Sequence, residues 1–258
     1  MSMVLSERRE SISVLKLNNP KQYNALGGTI LSDLNDALNA ALNDASTRVI
    51  VLTGVGKGFC AGAQLGGDAF DVGDRIGSFM RIGLNPMLEK MRAATKPIVV
   101  AVNGAAAGAG VGLALIGDIV IAARSARFIL SFVRLGAVLD AGTSLFLQRS
   151  IGPARARALA ILGEPLSAET AADWGLIWKV VDDDKLMDEA FAIAQKLAAG
   201  PAVAIGLIKN QIESAWSAPL ATALDDEASA QSRAFVTEDL REGTAAFVQK
   251  RPPNFKGR

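Results

Sequence analysis

Asp140 sits in the stretch RLGAVLDAGTSLFL, residues 134–147, as a lone carboxylate among apolar and small residues. An acid in such surroundings is either a helix cap or a chemical group. The chain has no histidine and one cysteine, Cys60. Ser-His-Asp and Cys-His mechanisms are therefore excluded. A zinc site lacks its usual ligands, and no metal is expected. General acid or base work falls to Asp, Glu, Lys, the single Tyr23 or Cys60. Carboxylates lead that group. As a cap, Asp140 would close the start of a helix beginning near Gly142 or Thr143.

Two glycine-rich turns could serve such an acid. GKGFCAGAQLGG (56–67) follows the apolar run RVIVLTG, and NGAAAGAGVG (103–112) follows KPIVVAVNG. Small residues let a ligand approach the backbone. A helix start adds unpaired N–H groups and a positive dipole end, so each turn could hold a negatively charged oxygen. GAGVGL is not a dinucleotide fingerprint, because Leu113 stands where its third glycine belongs. Taken singly, Gly110, Gly112 and Gly117 read as close helix–sheet packing.

The elements that must position these groups follow from periodicity. SISVLKL (11–17) alternates and predicts a half-buried strand. Helical spacing from Ile30 to Leu42 predicts an amphipathic helix. Buried strands are expected at 48–54, 96–104 and 118–123, with a short helix at 108–118 that is apolar on all sides and hence central. A helical segment covers 72–94. Beyond residue 150, short helices run from 153 to 174 and a strand from 176 to 181. Helices follow at about 184–199, 201–217 and 219–249. Alternating strands and helices predict an α/β fold with buried strands.

The chain has 258 residues, half of them hydrophobic, enough for one large core with a small appendage. Its net charge of +1 is spread along the chain, which argues against a nucleic-acid surface. The apolar run 97–123 is long enough to raise a membrane span. Asn103, Asp118 and its glycines argue against one. The N-terminus lacks the apolar region of a signal peptide, and the single cysteine fits a reducing cytoplasm.

With both turns in hand, the chain resembles the crotonase superfamily, the enoyl-CoA hydratase/isomerase group. The resemblance runs through NNPKQYNAL (18–26), GKGFCAGAQL (56–65), residues 96–128, LGAVLDAGTSLFLQRSIG (135–152), LGEPLSAETAADWGLIWKVVDD (162–183) and REGTAAFVQKRPPNF (241–255). It implies a repeated ββα spiral core over residues 1–195. A C-terminal helical region over 196–258 would build a homotrimer or a hexamer of paired trimers. It implies an acyl-CoA thioester as substrate, with no cofactor besides that coenzyme A. The N–H groups of Ala63 and Ala109 would hold the thioester oxygen. CoA would lie along Lys21, Tyr23, Ala61 and Leu65, with Phe247 and Lys250 reaching it from a neighbouring subunit. The segment 66–85 would line the acyl pocket.

Hydratases of this group carry two glutamates at positions that here are Gly112 and Phe132. Asp140 matches a third position, where family isomerases carry an acid in LGxxPDxG. The chain most resembles the branch that isomerises ring 1,2-epoxyphenylacetyl-CoA in phenylacetate breakdown, sharing GDIVIAARSA, LSAE and REG. It departs at Leu139, where the pattern has proline, and at Thr143, where it has a second glycine. The resemblance thus implies an isomerase that shuttles a proton on Asp140. A hydratase and a non-catalytic CoA-binding member are the alternatives. A family dehalogenase would need a histidine, which the chain lacks.

Overall fold

The computed structural model describes residues 2–64 and 73–258. The longest apolar runs pair into one six-stranded sheet. It contains β1 (Val4–Arg9), β2 (Ile12–Leu17), β3 (Val49–Gly54), β5 (Ile98–Val102), β7 (Ile119–Ala123) and β10 (Lys179–Val181), in that order across the sheet. Only the β1–β2 pair is antiparallel. A second sheet holds the short strands β4 (Gly58–Cys60), β6 (Ala105–Ala107), β8 (Arg127–Ile129) and β9 (Pro165–Ser167).

The two sheets are filled alternately. β3, β5 and β7 each run on into β4, β6 and β8 of the smaller sheet, and the chain then turns into helix. This is the repeated ββα spiral, an α/β fold. Parallel strands covered on both faces must be apolar throughout. Accordingly β5 is fully buried, and so is β3 up to Gly54.

Ten helices complete the described residues. They are α1 (Ile30–Asn43), α2 (Ile76–Phe79), α3 (Asn85–Ala93), α4 (Ala109–Leu115), α5 (Thr143–Leu162), α6 (Ala168–Asp173), α7 (Leu186–Ala198), α8 (Ala202–Ala215), α9 (Leu220–Phe235) and α10 (Glu238–Gln249). α1 buries Ile30, Leu34, Leu38 and Ala41, the stripe its spacing predicts. α7 packs on β3, β5 and β7. α8 and α9 pack on each other at the C-terminal end.

Several expectations change in detail. β2 is nearly all buried rather than half-buried, because β1 and β3 flank it and helix covers it. β1 itself has an exposed, charged pattern and carries no core signal. The helix expected at 72–94, described from residue 73 on, is four pieces: a 3-10 turn at Gly73–Arg75, then α2 and α3 joined by a π-helical turn at 80–84. The strand expected at 176–181 shortens to β10. The helix expected at 219–249 breaks where Thr237 caps α10, its hydroxyl accepting from Leu240 N at 3.1 Å. The apolar run 97–123 is β5, β6, α4 and β7 inside the core. Among the described residues no single helix is long and apolar enough to cross a membrane.

Candidate active site

α4 is the centre of the site. All seven of its residues, AGVGLAL, are buried, so its backbone is wrapped in protein. Gly108 turns the chain from β6 into α4 with φ 51 and ψ −128, a conformation suited to glycine. Gly108 N donates to Ile129 O at 3.0 Å. The next N–H, that of Ala109, is the first of the helix and has no acceptor among the described residues.

The exit of β4 comes directly against this helix start. Gly62 has φ 81, and a Cβ there would stand 2.6 Å from Ala107 O and 3.1 Å from Ala109 N. Glycine is the residue that permits the approach. Leu26 then brackets Ala63 in a parallel bridge: Leu26 N donates to Gly62 O at 2.6 Å, and Gln64 N donates to Leu26 O at 3.5 Å. Successive N–H groups of an extended chain point to opposite sides. Ala63 N–H therefore faces away from Leu26 and has no acceptor among the described residues. Two unpaired backbone donors, at Ala63 and Ala109, lie on segments in contact. Such a pair can stabilise a developing oxyanion, with the α4 dipole adding to it.

Ala141, the neighbour of Asp140 in the chain, packs against α4 at Gly112. A Cβ placed on Gly112 would meet Ala141 O, and would come within 2.6 Å of Ala141 Cβ. Gly112 lies three residues beyond Ala109, on the same face of the helix. The Phe132 ring is close by, 3.9 Å from where a Cβ on Gly108 would be. The two positions that carry glutamates in family hydratases are thus filled by the Ala141 backbone and by an aromatic ring.

The cap reading of Asp140 is corrected. Gly142 is the N-cap of α5, and no side chain caps that helix start. Asp140 contributes its carbonyl instead, accepting from Thr143 N at 2.9 Å. Its carboxyl has no hydrogen-bond or ion-pair partner among the described residues, and Oδ1 is buried. Burial pushes its pKa up from 3.8 to about 6. A carboxyl so placed can accept and return a proton near neutral pH.

Tyr23 and Ala61 are brought together, and Lys21 lies two residues before Tyr23 in the turn Pro20–Gln22. Ala61 N donates to Tyr23 O at 2.9 Å, and a Cβ on Gly58 would meet the Tyr23 ring at 2.9 Å. Asn24 holds this loop, a role that sequence reasoning missed. It is fully buried, and its Nδ2 donates to Gly58 O at 2.8 Å and to Val55 O and Phe59 O at 3.1 Å. Its Oδ1 accepts from Asn19 N at 2.8 Å. Its place inside the NNPKQYNAL block was the available signal.

Phe247 and Lys250 are not brought to these residues. They stand on α10, which packs on α9 and the C-terminal tail, with Phe247 85% exposed. Leu65 and residues 66–72 lie outside the described residues. Cys60 is buried, and burial pushes its thiol up to about 12, so it is no nucleophile. Asp118 is a structural pin: it accepts from Ile98 N at 2.7 Å and pairs with Lys209 at 2.7 Å.

Comparison with known proteins shows the family. The enoyl-CoA hydratase/isomerase family profile matches residues 7–258. The 1,2-epoxyphenylacetyl-CoA isomerase of Escherichia coli K12 is 43% identical over 265 residues, covering 100% of both chains. The 2,3-dehydroadipyl-CoA hydratase of the same organism is 35% identical over 259 residues, again covering 100% of both. The crystal structure of enoyl-CoA hydratase from Bacillus anthracis superposes with a TM-score of 0.94 at 33% identity, covering 99% of this chain and 100% of that one. Spiral core and paired glycine turns define a crotonase-type enzyme. The chain belongs to the enoyl-CoA hydratase/isomerase family.

Proposed function

We propose that this enzyme is an acyl-CoA isomerase in which Asp140 carries the proton. One observation carries the reading: Asp140 is a partly buried, unpartnered carboxyl beside α4, while Gly112 has no room for a second acid. In the reaction, the ionised Asp140 takes a proton from a carbon beside the thioester or two carbons further along. The electron pair moves onto the thioester oxygen, and the N–H groups of Ala63 and Ala109 stabilise that charge, such a donor being worth about 3 kcal/mol. The same carboxyl then returns the proton to the other carbon, and the double bond has moved. Hydration would need a second carboxyl group to handle water, and neither family position supplies one.

The identity to the epoxyphenylacetyl-CoA isomerase supports an acyl group carrying a ring or a ring epoxide. CoA lies along Lys21, Tyr23, Ala61 and Leu65. Phe247 and Lys250 reach it from a second copy in a homotrimer or a hexamer of trimers. The exposed apolar residues of α8–α10, among them Ile212, Trp216, Leu220, Leu224 and Phe235, support that assembly.

The test is a panel of thioesters, including 3-enoyl-CoA, trans-2-enoyl-CoA and 1,2-epoxyphenylacetyl-CoA, followed by mass and NMR. The proposal expects a product of unchanged mass with a moved double bond or an opened epoxide. Rapid addition of water to trans-2-enoyl-CoA, as the identity to a hydratase would favour, contradicts it.

A further inference from the structure

Next to the proton carrier, the proton shuttle leaves a buried polar group unused. Thr143 is 0% exposed, and its Oγ1 has no hydrogen-bond partner among the described residues. An orphaned buried hydroxyl is costly, so natural structures give such groups a reason. The other orphan on this segment is Oδ1 of Asp140, three residues away.

The backbone between them is unusual. Ala141 and Gly142 both have positive φ, 50 and 74, and Thr143 N closes the turn on Asp140 O at 2.9 Å. A turn with left-handed backbone at both central positions sets its flanking residues opposite each other. Ala141 holds this conformation without being glycine, which strains it slightly.

We propose that Thr143 is a positioning residue whose hydroxyl turns to hold Oδ1 of Asp140 during turnover. The hydroxyl can change direction by rotation about one side-chain bond, and threonine in a helix divides between two such rotamers. A hydroxyl donates to the ionised carboxylate and accepts from the protonated one. It can therefore stay with Asp140 through both halves of a proton shuttle. No charged residue of α4 faces Asp140, since α4 is wholly apolar, and none lies in the first turn of α5. Thr143 is joined to Asp140 by the turn's own hydrogen bond, and its hydroxyl is free to serve the acid. The inference rests on the reading of Asp140 as proton carrier.

Full-length enzyme carrying Thr143→Val or Thr143→Ser is compared with the parent. The Asp140 carboxyl is titrated by 13C NMR, its signal assigned with Asp140→Asn, and kcat and KM are measured across pH. Loss of a donor to the carboxylate favours the protonated form. Thr143→Val is expected to raise the Asp140 midpoint and the acid limb of kcat by about one pH unit, to lower kcat about tenfold, and to change KM less than about twofold. Thr143→Ser is expected to keep the parent values. Thr143→Ala replaces the valine variant if that one does not fold, with the same expected shift. An unmoved titration in the valine or alanine variant overturns the proposal. So does a serine variant as impaired as valine, because packing would then be the cause. Full activity of Asp140→Asn would instead sink the isomerase reading, and the NMR titration would still decide the role of Thr143.

Discussion

α4 and α9 are opposites. The seven residues of α4 are all buried, and none of the sixteen residues of α9 is. α4 has no polar side chain, yet its first N–H is left without an acceptor among the described residues. α9 carries Leu220, Leu224 and Phe235 into solvent, where apolar groups do nothing useful unless another surface covers them. In the first region the sequence is small and apolar so that backbone can act as reagent. In the second it is amphipathic, and its apolar residues stand uncovered. One chain completes the first region and leaves the second open.

The sharpest way to break the first region is Gly62→Ala. The added methyl would press on Ala107 O at 2.6 Å and on Ala109 N at 3.1 Å, at a φ of 81. Displacing one oxyanion donor is expected to lower kcat by about 10²–10³-fold, with the oligomer unchanged. Steady-state kinetics and sedimentation check this together. α10, which packs on α9, should respond the other way. Phe247→Ala removes an 85% exposed ring from α10. Kinetics should show KM for the thioester rising about tenfold with kcat within about threefold if, as proposed, the ring binds CoA from a second copy and touches no reacting atom. Equal loss of kcat would place α10 in the chemistry and erase the contrast.

The smallest effect is on stability. Asp140 has its pKa raised by burial from 3.8 to about 6. A raised acid contributes stability that is full below its unfolded pKa and lost as pH rises through the folded one. Asp140→Asn should therefore melt with the parent near pH 3.5 and later than the parent near pH 7.5. Solvent screening limits the gain to about 1 kcal/mol, a few degrees. Equal melting at both values would mean that the carboxyl is not desolvated.

The sequence made these regions legible to different degrees. α4 was readable because apolar residues on every side leave only the core as a home. Asp140 was readable because the absence of histidine narrows the choice of proton carriers. The donors at Ala63 and Ala109 are backbone groups, which no residue type announces, so only the family resemblance pointed to them. Asn24 was missed because its acceptors lie more than thirty residues away in sequence, at Val55, Gly58 and Phe59. β1 was missed because an edge strand with charged, exposed residues carries no periodic core signal. The break before α10 did have a signal, Thr237 followed by Glu238 and Asp239, and the helical spacing on both sides obscured it.

The central claim is that Asp140 alone moves the proton. The most direct measurement compares parent and Asp140→Asn on the thioester that the parent isomerises, with the reaction run in deuterated water and followed by NMR. The account predicts that Asp140→Asn binds the thioester with little change in affinity. It also predicts that isomerisation and carbon–deuterium exchange slow by about 10³-fold or more. Isomerisation and exchange at the parent rate would contradict it.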